Sequence, residues 1–475
     1  MVSLVLGQLR RRPAAFAGLA VALLLAIATV TLFGSLAAAE LATPAAVRKA
    51  AAGPGLMVIA GAFGEIAVVV AFFVVVNALG FALRQQHREL ALLRTVAATP
   101  RQVRRLVRGQ VVATTLLVAV PGWAVGAVAA RCFLAALQQR GMAAPGLRVP
   151  ATPVPMLVAL VAALLVGLAA SAVAARRISR IAPAAALTAS STEHARTGPP
   201  RLLAGAAVLV GGALLLRLAA TRPADQVDKA GQAALLGSLV LLVAVALAGP
   251  FAARALATVL GLPLRLLVPG TGWLADANLR GYARRLSSAV VPVAMLVGLS
   301  GTMSIMTFTA EHAAAAARTS AGASAGASAG AGAGAAVSAV TSATDVWLRQ
   351  AELGMLVCFA TVSVVNTLVA VTADRRREFA LLRLVGGTRR QLLRMLSAEA
   401  VLTTAVGVLL GAAVAGAAAA AFSTAVTGSA VPSVPVATCG WIVAGAAALT
   451  LPGILATGRW AVGGPATELV GGGRD

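Results

Sequence analysis

The chain has 475 residues, 59% of them hydrophobic and only 11% charged, whereas a soluble domain carries about 25% charged residues. Its net charge of +24 would suit nucleic acid, but aromatic residues make up only 4%, too few for the stacking platforms of a single-strand binder. Uncharged runs of spanning length recur throughout, without the alternating ten-residue segments of a membrane barrel, so the expected fold is an all-α polytopic membrane protein that binds no nucleic acid.

In chain order, ten transmembrane helices are expected near 14–39, 56–83, 111–133, 154–175, 202–220, 232–253, 287–309, 351–373, 398–422 and 437–457. The first follows Arg10, Arg11 and Arg12 and carries no charge over 14–39. A cleavable signal has an apolar core of about 7–15 residues, so this longer run reads as a span, with a cleaved signal as the alternative. An inside N-terminus makes 1–13, 84–110, 176–201, 254–286, 374–397 and 458–475 the cytoplasmic segments. These hold 29 of the 39 Lys and Arg residues, and that bias places both termini in the cytoplasm.

The spans repeat. A shift of 289 residues aligns Asn77 with Asn366, Glu89 with Glu378, Arg94 with Arg383 and Gln102 with Gln391, and ten of the fifteen positions over 88–102 are identical. Two parallel four-helix repeats are therefore expected, 1–200 and 254–475, joined by a two-helix connector at 201–253. Between the seventh and eighth spans, 313–344 is an Ala/Gly/Ser-rich segment that reads as a flexible outer linker. The other outer loops are too short for a folded domain.

The repeated strings RELALLRTVAATPRQVRRL, from residue 88, and REFALLRLVGGTRRQLLRM, from residue 377, each follow an apolar run. The helix formers of ELALLR extend the preceding helix out of the bilayer. Ala97-Ala98 or Gly386-Gly387 then ends it. Thr99 with Gln102, and Thr388 with Gln391, have capping-box spacing, and Pro100 falls at a first helical position, where its missing N–H costs nothing. The pattern predicts a helix, a sharp turn, and a second helix running into the next span. A basic belt on anionic lipid would explain the arginines alone. The acidic residues, paired leucines and twin caps favour a protein-docking element.

These residues resemble the FtsX-like (MacB/FtsX-type) permease family, the membrane subunits of type VII ABC transporters. The string LADANLRGYARRLSS at 274–288 and the closing Pro-x-x-x-Leu resemble that family too. The resemblance implies a multi-pass protein of the bacterial plasma membrane that docks a separate ATPase, as a dimer, and the lack of an outer domain makes an amphiphilic, lipid-like substrate the expectation over a large peptide. By the same resemblance Glu89, Leu92, Leu93, Arg94, Thr99 and Gln102 would form one ATPase-coupling site. Glu378, Leu381, Leu382, Arg383, Thr388 and Gln391 would form the other. The family commonly carries Glu soon after this region; Glu399 fits, but the first copy has Gln110. Family members of ten helices often carry a sizeable outer domain, and here only the linker stands in its place.

No Walker A loop is present: neither Lys49 nor Lys229, the only lysines, sits in a Gly-Lys-Ser/Thr setting. The chain is therefore expected to be no enzyme and to hold no cofactor itself, with ATP and Mg²⁺ bound by the partner. Cys132, Cys358 and Cys439 lack metal-ligand spacing and read as small buried hydrophobes, and no metal site is expected. Glu65 and Glu352, ionisable residues in or beside apolar spans, are candidates for a substrate or gating role, with an interfacial anchor near the outer end as the alternative. Asn77 and Asn366 suit interhelical hydrogen bonds. Gly122-x-x-x-Gly126 and Gly407-x-x-x-Gly411 suit close helix packing. A signalling module without transport, or an ion-driven secondary transporter, are the alternative functions; the second predicts midplane ionisable residues that the sequence scarcely offers.

Overall fold

The computed structural model describes residues 13–44, 55–86, 99–150, 152–178, 199–223, 226–267, 283–323, 343–373 and 376–462. Among these residues there are eleven helices and no strand: α1 Pro13–Leu41, α2 Leu56–Gln85, α3 Pro100–Gln139, α4 Val154–Ile178, α5 Pro199–Ala220, α6 Val227–Leu267, α7 Ala283–Ala323, α8 Ala343–Ala373, α9 Arg376–Leu384, α10 Arg389–Thr427 and α11 Val436–Val462. Ten of them are long and apolar enough to cross a membrane, and only the nine-residue α9 is not. The expected ten-span, all-helical architecture is met. The chain divides into two compact units, Met1–Glu193 with α1–α4 and His194–Asp475 with α5–α11.

In the first unit α1 packs against α2, α3 and α4. Its approach to α3 is close because Gly122 and Gly126 lack side chains. A Cβ at Gly122 would come within 3.0 Å of Ile27, and one at Gly126 within 2.7 Å of the Thr31 Cβ. Phe33 bridges three helices, with ring centroids 5.9 Å from Phe63 and 6.5 Å from Phe133. The Glu40 carboxylate at the end of α1 accepts the Met57 backbone N–H and so satisfies an orphan donor in the first turn of α2. After α3 the chain turns at Gly141 (φ +72°). There the Gly141 N–H donates to Gln138 O and the Met142 N–H to Leu137 O, a Schellman arrangement.

In the second unit α7 is the central helix. Its apolar window is 94% buried, whereas that of α11 is 17% buried. α5 and α6 pair with each other, α6 packs on α7 and α10, and α8 lies against α7 and α11. α10 approaches α7 through its glycines: a Cβ at Gly411 would come within 2.8 Å of both Ala294 O and the Val297 Cβ, and one at Gly407 within 2.7 Å of the Val293 Cβ. Both small-residue motifs thus serve packing. Dispersion contacts at close range replace the hydrophobic drive that lipid removes.

Several elements depart from the sequence-based expectation. α7 runs on to Ala323, well into the Ala/Gly/Ser segment, because the alanine run 313–317 is a strong helix former. α6 extends to Leu267 rather than stopping near 253. The cysteines are not buried as expected: Cys132 and Cys358 are exposed and Cys439 is partly so. All three lie in helices of membrane-spanning length, where lipid would receive a small apolar thiol as readily as a core does. Asn77 also departs, since its Nδ2 is buried and has no hydrogen-bond partner.

Candidate functional site

α9 is too short to be stable alone, as an isolated helix needs about 12–15 residues. Glu378 in its first turn and Arg383 in its last complement the helix dipole. Tertiary packing must hold the helix, and Phe379 is fully buried in a core cluster that also contains Val364 and Leu368 of α8, Leu392 and Leu396 of α10 and Ile454 of α11. Leu382 packs against the same cluster. The helix is thus fastened to the unit by one face. Its other face presents Leu381, Leu384 and Val385, the last 88% exposed. Their i, i+3, i+4 spacing puts them in one stripe.

The turn out of α9 is fixed by its two glycines. Gly386 has φ +99°, a conformation that residues with a Cβ rarely adopt. Its N–H donates to Arg383 O (3.1 Å) and the Gly387 N–H to Leu382 O (2.9 Å), closing a Schellman motif. A Cβ at Gly387 would stand 2.8 Å from Leu382 O. The chain then enters α10 through the expected capping box. Thr388 N–H donates to Gln391 Oε1 (2.9 Å) and Gln391 N–H to Thr388 Oγ1 (3.3 Å).

The first unit carries the same cap. Thr99 N–H donates to Gln102 Oε1 (2.8 Å) and Gln102 N–H to Thr99 Oγ1 (3.3 Å). The N-cap backbones agree closely, at φ −73°, ψ 153° for Thr99 and φ −76°, ψ 152° for Thr388. Past the cap, Arg101, Arg105 and Arg108 are exposed while Val103, Leu106 and Val107 are buried. Glu89, Leu92, Leu93 and Arg94 lie outside the described residues. Further along α3, Gln110 Nε2 donates to Gln86 Oε1 at 3.2 Å, both side chains being buried.

Of the residues expected at the second coupling site, Glu378, Leu381, Leu382 and Arg383 share α9, and the Schellman turn joins them to Thr388 and Gln391. They do not play one role. Leu382 is spent on packing, Thr388 and Gln391 hold the turn, and only Leu381 of the leucine pair faces outwards. Leu384 and Val385 join it on the exposed face, and the sequence reading missed them; their helical spacing with Leu381 was the available signal. Glu65 and Glu352 are unlike one another: Glu65 is exposed on α2, whereas Glu352 on α8 is 8% exposed and its Oε1 has no hydrogen-bond partner.

A family model, FtsX-like permease C-terminal, matches the chain twice, over residues 61–183 and 352–460. Each match contains one capped helix start: Thr99 with Gln102 in the first and Thr388 with Gln391 in the second. No curated protein matches the chain.

Proposed function

The chain belongs to the FtsX-like permease family, and on that premise we propose that it couples ATP hydrolysis in a separate subunit to movement of an amphiphilic substrate across or out of the bilayer. As a member it is a multi-pass membrane protein and the permease component of an ABC-type transporter. The observation that carries the finer proposal is the pair of like-capped helix starts, one in each matched segment, with the second joined to an exposed apolar stripe on α9. A free apolar stripe of Leu381, Leu384 and Val385 is a helix-in-groove anchor awaiting a partner.

The proposed orientation puts both termini and both capped segments in the cytoplasm. The two matched segments form parallel repeats, with α5 and α6 between them. The ATPase dimer engages one segment per half and supplies ATP and Mg²⁺. Neither Lys49 nor Lys229 has a P-loop setting, so phosphate binding falls to the partner. Force on α9 passes into the membrane because Phe379 and Leu382 bind it to the cluster shared by α7, α8, α10 and α11. The glycine turn and cap make the α9–α10 joint a lever rather than a hinge. The membrane is a bacterial plasma membrane. With short outer loops and a membrane-embedded body, an amphiphile that enters from lipid is the fitting substrate.

Mild-detergent extraction from native membranes tests this proposal. A P-loop ATPase should co-purify with the wild-type chain and be lost from the Glu89→Lys, Glu378→Lys double variant. If no ATPase associates, or if the double variant retains it, the docking proposal fails.

A further inference from the structure

One exposed face of α3 changes from cationic to apolar along its length. Near the start of the helix it carries Arg101, Arg105 and Arg108, all exposed, while Val103, Leu106 and Val107 turn inwards. Further on, the same face presents Leu116, Val120 and Trp123, each well exposed. At 100° per residue the three arginines fall within an arc of about 60°, and all six side chains within about 120°. Between Arg108 and Arg131, itself exposed, α3 has no charged residue over 109–130, a length of about 33 Å. The hydrocarbon core of a bilayer is about 30 Å thick, and its head-group layers bring the total to about 40–45 Å. Arg108 therefore stands at the edge of the core. Arg105 lies about 4–5 Å and Arg101 about 10 Å further out, so the stripe crosses one head-group layer.

Depth and charge together select the partner. A guanidinium offers paired N–H donors that match phosphate oxygens, and it keeps its charge at any physiological pH. A zwitterionic head group brings its own ammonium, which three arginines repel; an anionic head group does not. Arginines also suit an acidic protein surface. Here, however, the cationic face runs unbroken into the exposed apolar face of a membrane-spanning helix, where lipid is the neighbour. The second unit has the pattern only in part. Arg390 and Arg394, both exposed, stand 289 residues after Arg101 and Arg105, but Ser397 stands where Arg108 would be.

We propose that Arg101, Arg105 and Arg108 bind the phosphate of an anionic phospholipid, whose acyl chains lie against Leu116, Val120 and Trp123. Placing that lipid in the cytoplasmic leaflet rests on the orientation proposed above, whereas the phosphate contact does not.

The test uses the full chain in nanodiscs holding phosphatidylglycerol and phosphatidylcholine in equal amounts. A photo-crosslinking amino acid replaces Val112, half-buried on the same face one turn beyond Arg108, and cross-linked lipid is identified by mass spectrometry. Phosphatidylglycerol should cross-link at least about tenfold more than phosphatidylcholine. Arg108→Gln should cut that preference by about fivefold. The Arg101→Gln, Arg105→Gln, Arg108→Gln triple variant should abolish it, and the corresponding triple substitution to Lys, which keeps the charge, should retain most of it. Raising the salt from about 0.1 M to about 1 M should weaken the wild-type preference. Equal cross-linking of the two lipids, or a preference that survives the triple Gln substitution, overturns the proposal. So does a cross-link from Val112 to another protein in place of lipid in native membranes. Should the triple Gln variant fail to fold, Arg108→Gln and the salt series decide the matter, and no change in either overturns it. Co-purified ATPase is scored on the same wild-type preparation. ATPase retained without lipid preference sinks the phosphate stripe alone; lipid preference without any ATPase sinks the permease coupling and leaves the stripe standing.

Discussion

Gln110 is buried and donates to an equally buried Gln86, while 289 residues further on Glu399 is buried and Arg375 stands at the position that corresponds to Gln86 in the sequence. By residue type one half has a neutral amide pair where the other has an acid and a base. A buried charge facing a neutral amide is costly, so Gln110→Glu alone should destabilise the chain by about 3 kcal/mol. Gln86→Arg in the same chain should recover much of that loss. Thermal unfolding in detergent of the two single variants and the double variant checks both statements. Gly411→Ala should cost about 1–3 kcal/mol, because the added carbon meets the α7 backbone and cannot be relieved by a rotamer change. Sequence spacing made this glycine pair and both Thr–Gln caps legible, since both depend on residues one helical turn apart. It misplaced the cysteines because composition distinguishes apolar from polar, not core from lipid. It gave no sign that Glu352 is buried and Glu65 exposed, which depends on how each helix is rotated against its neighbours.

α9 divides its residues between two tasks, and substitutions should separate them. Phe379→Ala removes a fully buried ring and should destabilise the chain by about 3–5 kcal/mol. Leu381→Ser combined with Val385→Ser should leave the melting temperature nearly unchanged, because both side chains already face outwards. The same pair should abolish ATPase co-purification. If stability falls and association survives, the exposed stripe is structural and the docking role is refuted. The helical spans were readable from uncharged length alone. Their extensions were not: α7 continues to Ala323 through a segment whose glycine and serine content suggested a linker, because its opening alanines propagate an existing helix at little cost. The division of labour in Leu381-Leu382 was hidden as well, since adjacent leucines on a helix point about 100° apart and the sequence does not say which meets the core.

At the scale of the whole molecule, two uneven units arise from a chain whose matched segments are nearly equal in length. α5 and α6 pack within the second unit, so α10 is covered there by helices for which the first unit has no counterpart of its own. Orientation is testable directly. In a chain with Cys132, Cys358 and Cys439 replaced by alanine, a membrane-impermeant maleimide should label Ser429→Cys on intact cells. It should label Thr388→Cys only after permeabilisation. The central claim, that α9 receives force from a separate ATPase, is tested most directly by a photo-crosslinking amino acid placed at Leu381 in native membranes. The account predicts a cross-link to a soluble P-loop ATPase that changes in yield when a non-hydrolysable ATP analogue is added. Cross-links to lipid or to the chain itself, with none to an ATPase, would contradict it.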